Sequence, residues 1–173
     1  MSRNDQGFTL IELLIVVAII SIIAAIAVPG LLKARATANE ASAIASLKNV
    51  AYGQVSYSAS CGNGGYAASF IILGTPLPGS AEPFIAPDLG GSLNPRKSGF
   101  DFALGPGASA AGPNDCIARP TNSGYYATAI PTNWGTTGGR SFATNAGNAI
   151  WQNMGATAPT EPFTPSATVS TIQ

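Results

Sequence analysis

From Phe8 to Val28 the chain is apolar at almost every position, with no Gly, no Pro and one charge, Glu12. After the Phe-Thr start the run reads LIELLIVVAIISIIAAIAV. At ~1.5 Å rise per residue, a helix of this length spans ~31 Å. The hydrocarbon core of a bilayer is about 30 Å thick, so the run is long enough to cross one. Pro29-Gly30 ends it with a residue lacking an N–H and a residue of loose backbone preference, and predicts an interruption or bend there.

Residues 31–58 return to a helical pattern, rich in Ala, Leu, Lys and Glu, with no further Gly until Gly53. Ile44, Leu47, Ala51 and Val55 recur at helical spacing and predict a stripe packed against the rest of the domain. Asn39, Glu40, Ser46, Lys48 and Asn49 fall mostly away from that stripe or along its margin. The two segments together predict one long helix from Phe8 to near Ser58, broken or bent at Pro29-Gly30.

Beyond it the pattern changes. Residues 59–97 are punctuated by Gly, Pro, Ser and Asn and read as loop, with a short helix or a strand open between Tyr66 and Leu73. Residues 98–154 carry strand signals: Ser98 to Leu104, Tyr125 to Ile130, Gly139 to Thr144 and Ala149 to Gln152. Asn145-Ala146-Gly147-Asn148 joins the last two as a hairpin turn. The expected head is therefore three or four antiparallel strands with one face on the helix stripe. Residues 155–173, GATAPTEPFTPSATVSTIQ, read as a mobile or extended tail, open to O-linked sugar or undecorated.

The charge inside the apolar run changes the picture most. A carboxylate costs roughly 2.5–3.5 kcal/mol at the centre of a bilayer, and less near the edge where Glu12 sits. A plain anchor has no use for it, so a charge kept there implies a partner. Gly7-Phe8-Thr9-Leu10-Ile11-Glu12-Leu13, with a short polar leader before it, resembles the start of a type IV prepilin. The resemblance implies that a prepilin peptidase cuts after Gly7 and that the new N-terminal Phe8 is then N-methylated. It implies that Glu12 pairs with the N-terminal amine of a neighbouring subunit during filament assembly. Electrostatics agrees: each charge alone is costly beside lipid, so pairing rewards one stagger between copies.

The same resemblance organises the rest of the chain. Residues 1–7 become a leader peptide, 8–30 a transmembrane and assembly helix, 31–58 an amphipathic helix half, 59–154 a globular head and 155–173 a tail. The implied fold is α+β, the pilin plan of a long N-terminal helix packed on a small antiparallel sheet. Loss of regular helix just before Pro29 in the assembled fibre is a further implication. Lys97 to Phe100 and Gly135 to Phe142 are similar to head segments of pilins and of type II secretion pseudopilins, although the acidic calcium loop of the latter is missing. The implied partners are further copies in a helical homopolymer, the prepilin peptidase and methyltransferase, and the inner-membrane assembly machinery. The implied location is the inner membrane for the precursor and a surface filament for the mature chain.

Flanking charges pull the other way on topology: Arg3 precedes the span while Lys33 and Arg35 follow it, a poor case for the N-inside orientation the family requires. Cys61 and Cys116 form no C-x-x-C or haem pattern. In an exported chain they read as a disulfide, the alternative being two buried thiols. There is no His, which removes the commonest general base and transition-metal ligand. No phosphate loop, acid pair or nucleophile set is legible, so an enzyme and a cofactor are not expected. Eight basic residues balance eight acidic ones, which gives no electrostatic case for a nucleic-acid partner.

The leading reading is a structural subunit of a type IV pilus. Alternatives are a type II secretion pseudopilin, a minor pilin acting as a tip binding module, and an ordinary signal peptide or anchor in which Ala24-Ala25-Ile26-Ala27 mimics a cleavage site. That last reading explains neither Gly7-Phe8 nor Glu12, and its 7–15-residue apolar core is shorter than this run.

Overall fold

A computed structural model describes residues 7–172. Helix α1 spans Leu10–Ser60, 51 residues, with Pro29 inside it. The expected interruption at Pro29-Gly30 is therefore not a break. Proline forfeits one backbone hydrogen bond, and a long helix accommodates that loss while its other bonds hold. The chain divides into two compact units, one ending at Arg35 and the other starting at Ala36. In the first unit every described residue from Gly7 to Arg35 is exposed.

The second unit is the head. Its helical segment buries Ala43, Leu47, Val50, Gln54 and Tyr57, a stripe at spacings of three and four along one face. This stripe is rotated from the expected one. Leu47 and Ala51 are buried as expected, but Ile44 is only half-buried and Val55 is 44% exposed. Two polar residues expected outside the core, Glu40 and Ser46, are buried. Glu40 goes inside because its carboxylate is fully engaged. It accepts from the Gly139 N–H at 2.7 Å and from Arg140 Nε and Nη2 at 2.9 and 2.7 Å. Gln54 is clamped in the same manner, donating to the Ala67 carbonyl at 2.9 Å and accepting the Ala67 N–H at 2.8 Å. Buried polar groups are tolerated when their hydrogen bonds are complete.

Two short helices follow, α2 (Phe70–Gly74) and α3 (Pro87–Gly90). The Ser69 side chain caps α2 by accepting the Ile72 N–H. Strands β1 (Arg96–Lys97), β2 (Phe100–Gly105), β5 (Tyr126–Pro131), β6 (Ser141–Asn145), β7 (Ile150–Asn153) and β8 (Val169–Ile172) form one antiparallel sheet in that order. A separate ribbon pairs β3 (Ala111–Asn114) with β4 (Pro120–Asn122). The architecture is α+β, a long N-terminal apolar helix with an antiparallel sheet on its head segment. All four expected strand segments are present, but the main sheet has six strands rather than three or four.

Register explains the core. Phe102 pairs with Ala129, which pairs with Phe142, and all three are buried in one cluster with the helix stripe. Phe100 and Phe142 lie with ring centroids 5.9 Å apart. Alternating large rings with alanines lets the helix approach without voids. Gly53 serves the same end on the helix side: a Cβ there would meet Ile85 Cγ2 at 2.6 Å.

The stretch expected to be a loose tail is ordered against the opposite face of the sheet. Phe163 stacks on Trp151 at 5.3 Å between centroids, and the Tyr126 hydroxyl donates to the Pro159 carbonyl. Glu161 accepts from the Ala108 N–H at 3.0 Å and from Asn145 Nδ2 at 2.7 Å. Val169–Ile172 then form strand β8 beside β7. Composition suggested mobility, but Phe163, Glu161, the Pro159 carbonyl and the β8 pairing dock it.

The cysteines are joined, Cys61 to Cys116, with Cα atoms 4.8 Å apart. Cys61 follows the last residue of α1, and the Cys116 N–H donates to the Cys61 carbonyl at 2.7 Å. Beside the bridge, the Asp115 side chain accepts from Tyr57 Oη and Arg119 Nε, each at 2.7 Å, and from the Ile117 and Arg119 N–H groups. Burial works to raise the Asp115 pKa, but these donors outweigh it and hold the carboxyl at about 2, against an ordinary 3.8. Burial and the bond to Asp115 push the Tyr57 hydroxyl up to about 12.

Two expectations follow. Replacing both Cys61 and Cys116 by Ser opens a 55-residue separation. Loss of that constraint destabilises the head by about 4 kcal/mol in the chain-entropy model, read as a lower guanidinium midpoint of the detergent-solubilised chain. Because Asp115 is more acidic when folded, its stabilisation is complete above pH ~4 and disappears as pH falls toward ~2. The same unfolding measured across that window loses stability in the native chain, and Asp115→Asn, already weaker at neutral pH, loses less of it.

Candidate functional site

The Gly7-Phe8 junction precedes the first helical residue, Leu10, and has no regular secondary structure. The Phe8 side chain is 88% exposed, and nothing lies within 4 Å of a Cβ built on Gly7. The remainder of the expected leader, residues 1–6, lies outside the described residues.

Helix α1 starts with a reciprocal cap. Glu12 Oε2 accepts the Thr9 N–H at 3.0 Å and the Thr9 hydroxyl at 2.7 Å. The Glu12 N–H in turn donates to Thr9 Oγ1 at 3.3 Å. This is the Thr-x-x-Glu capping box, in which two backbone donors at a helix start are satisfied by two side chains. A carboxylate in the first helical turn is also favoured by the helix dipole. The spacing Thr9 to Glu12 was legible as this signature, and reading the acid only as an intermolecular partner missed it.

Three features of the cap matter chemically. It lies wholly C-terminal to the Gly7-Phe8 bond, so scission there leaves it in place. It would set the new amine of Phe8 one residue before the capping threonine. It uses one carboxylate oxygen, Oε2, for both Thr9 donors; among the described residues no ion pair involves Glu12 and no hydrogen bond engages Oε1. A capped Glu12 thus has a fixed rotamer and an open acceptor.

Farther along, the one hydroxyl of the run beyond Thr9 is internally satisfied: Ser21 Oγ donates to the Val17 carbonyl at 2.7 Å. Among the described residues α1 is the one helix long and apolar enough to cross a membrane. Apart from Glu12, its exposed side chains from Leu10 to Leu32 are large aliphatics and small residues, which water does not solvate well. Among the described residues no cluster of three His, Cys, Asp or Glu side chains could hold a metal.

Comparison with known proteins points the same way. Residues 2–28 match the prokaryotic N-terminal methylation motif. Over 38 residues the chain is 66% identical to the type IV wide pilus major component PilA4 of Thermus thermophilus, an alignment covering 22% of this chain and 29% of that one. Over 54 residues it is 49% identical to the type IV major pilin protein PilA of Myxococcus xanthus, covering 31% of this chain and 24% of that one. The chain thus spans less than a third of the length of each of these relatives. No solved structure is a significant match. The methylation motif, the two pilin relatives and the helix-on-sheet architecture together support the type IV pilin and prepilin family for this chain.

Proposed function

We propose that the chain is a structural subunit of a type IV pilus. On this reading a prepilin peptidase removes residues 1–7 and the Phe8 amine is methylated. The apolar half of α1 holds the precursor in the inner membrane, and assembly machinery then transfers it into a surface filament of identical copies. The observation that carries the proposal is the capped Glu12 with one free carboxylate oxygen, five residues into the mature chain. In a fibre core made of apolar helices, a neighbour's Phe8 ammonium is the group that this oxygen would neutralise. Leaving either charge buried and alone is strongly unfavourable, so the pairing fixes register. Lipid and fibre core are similarly apolar, so extraction gains little from the hydrophobic effect, which is why an energised machine is part of the proposal.

The cap and the charge can be separated by substitution. Glu12→Gln retains a side-chain acceptor for Thr9, since Gln also completes a capping box, but removes the charge. Thr9→Val keeps the charge and removes the cap, at about 1 kcal/mol. If the carboxylate pairs between subunits, Glu12→Gln inserts in the membrane normally yet yields few filaments, while Thr9→Val has the milder defect. Normal filaments from Glu12→Gln would reduce Glu12 to a helix cap. Mass spectrometry of sheared filaments is expected to show a chain starting at methylated Phe8. A chain still starting at Met1 would refute the processing.

A further inference from the structure

The head from Ala36 onward contains eleven charged side chains. Eight of them form four ion pairs: Glu40 with Arg140, Asp88 with Lys97, Asp101 with Arg96 and Asp115 with Arg119. Among the described residues this leaves Lys48, Glu82 and Glu161 without an ion pair. Glu161 is committed within the head, each oxygen accepting a hydrogen bond. The Glu82 carboxylate has no hydrogen bond, and it stands on the exposed Pro-rich loop that precedes Phe84. One free cation and one free acid remain.

Each belongs to a distinct surface. Lys48 borders an open groove of ≈ 340 Å³ lined also by Ala51, Tyr52, Val55 and Asn148. Tyr52 is 73% exposed there, a large aromatic with nothing over it. Successive helical residues are about 100° apart, so Gly53 and Val55 lie about 160° apart around α1. The segment carrying Glu82 approaches on the Gly53 flank, where Phe84 and Ile85 would meet any side chain larger than glycine. Asn148 lies on the Val55 flank. The acidic loop and the basic groove therefore occupy opposite flanks of one helical segment.

We propose that these two surfaces are complementary halves of one interface between copies, with the Glu82 loop of one head seated in the Lys48–Tyr52 groove of the next. The inference rests on the filament reading and adds the contact between heads. Because the halves differ and face apart, each copy that uses one still presents the other. Such heterologous contacts propagate as an open helix unless the rotation closes a ring. The carboxylate of Glu82 meets the ammonium of Lys48, and the exposed chain on either side of Glu82 covers Tyr52. Among the described residues neither charge has an ion-pair partner to give up.

The test uses the full-length chain in cells that build filaments from it. Lys48→Glu or Glu82→Lys alone places like charges together at every contact and lowers sheared filament about tenfold or more, with membrane-inserted precursor unchanged. Lys48→Glu combined with Glu82→Lys restores the opposite pair and recovers most of the yield. Treating native filaments with a carbodiimide joins a touching amine and carboxylate as an amide, the water lost being taken up as the urea. The expected product is a Lys48–Glu82 linked peptide. Native yields from both single variants, or no recovery in the double variant, would overturn the interface while leaving the filament reading intact. Failure of the unaltered chain to enter filaments would overturn that reading and this contact with it.

Discussion

One carboxylate in the otherwise uncharged apolar run from Phe8 to Val28 is the constraint around which the N-terminal unit is arranged. Glu12 sits in the first helical turn, where Thr9 and the helix dipole stabilise its charge, and not in the middle of the span where the cost is greatest. The cap resolves the conflict between a charge and its apolar setting only in part. It satisfies one oxygen and leaves the other without a hydrogen bond among the described residues. On the proposed filament reading a neighbouring chain's ammonium would complete the pairing, so that Glu12 would set register as well as start the helix.

The head is organised differently, as a firm platform around the second half of α1. It achieves this with paired charges and small residues. Glu40–Arg140 ties the start of the head's helical segment to the loop before β6, with Gln152 of β7 accepting from Arg140 at 2.7 Å. The Cys61–Cys116 bridge and the Tyr57–Asp115–Arg119 cluster hold its far end. Between them, alanines on β5 and phenylalanines on β2 and β6 let the sheet lie close to the helix. The tail then closes the outer face of the sheet through Phe163 and Glu161.

Much of this was legible in the residues. The apolar run, the Gly7-Phe8-Thr9-Leu10-Ile11-Glu12 segment and the β2, β5, β6 and β7 segments stand out because each repeats a period or a motif over several positions. Legibility ended where long-range partners override local pattern. Glu40 looked like a surface residue because its Arg140 partner lies 100 positions away. Val55 looked like core because the helical period admits two adjacent stripes, and only the sheet's position selects one. The tail looked mobile because its few anchoring contacts are diluted among Pro, Thr and Ser. Pro29 looked like a break because local propensity penalises it, whereas the helix on either side outweighs that cost.

The central claim is an ionic contact between the Phe8 amine of one subunit and the Glu12 carboxylate of another. Solid-state NMR on filaments co-assembled from two populations, one labelled with ¹⁵N at Phe and the other with ¹³C at Glu, reads only contacts between chains, because the two labels never share one chain. The account predicts a dipolar coupling between the Phe8 amine nitrogen and Glu12 Cδ corresponding to an ion-pair separation of about 4 Å. Well-ordered mixed filaments with no coupling between those two atoms would contradict it.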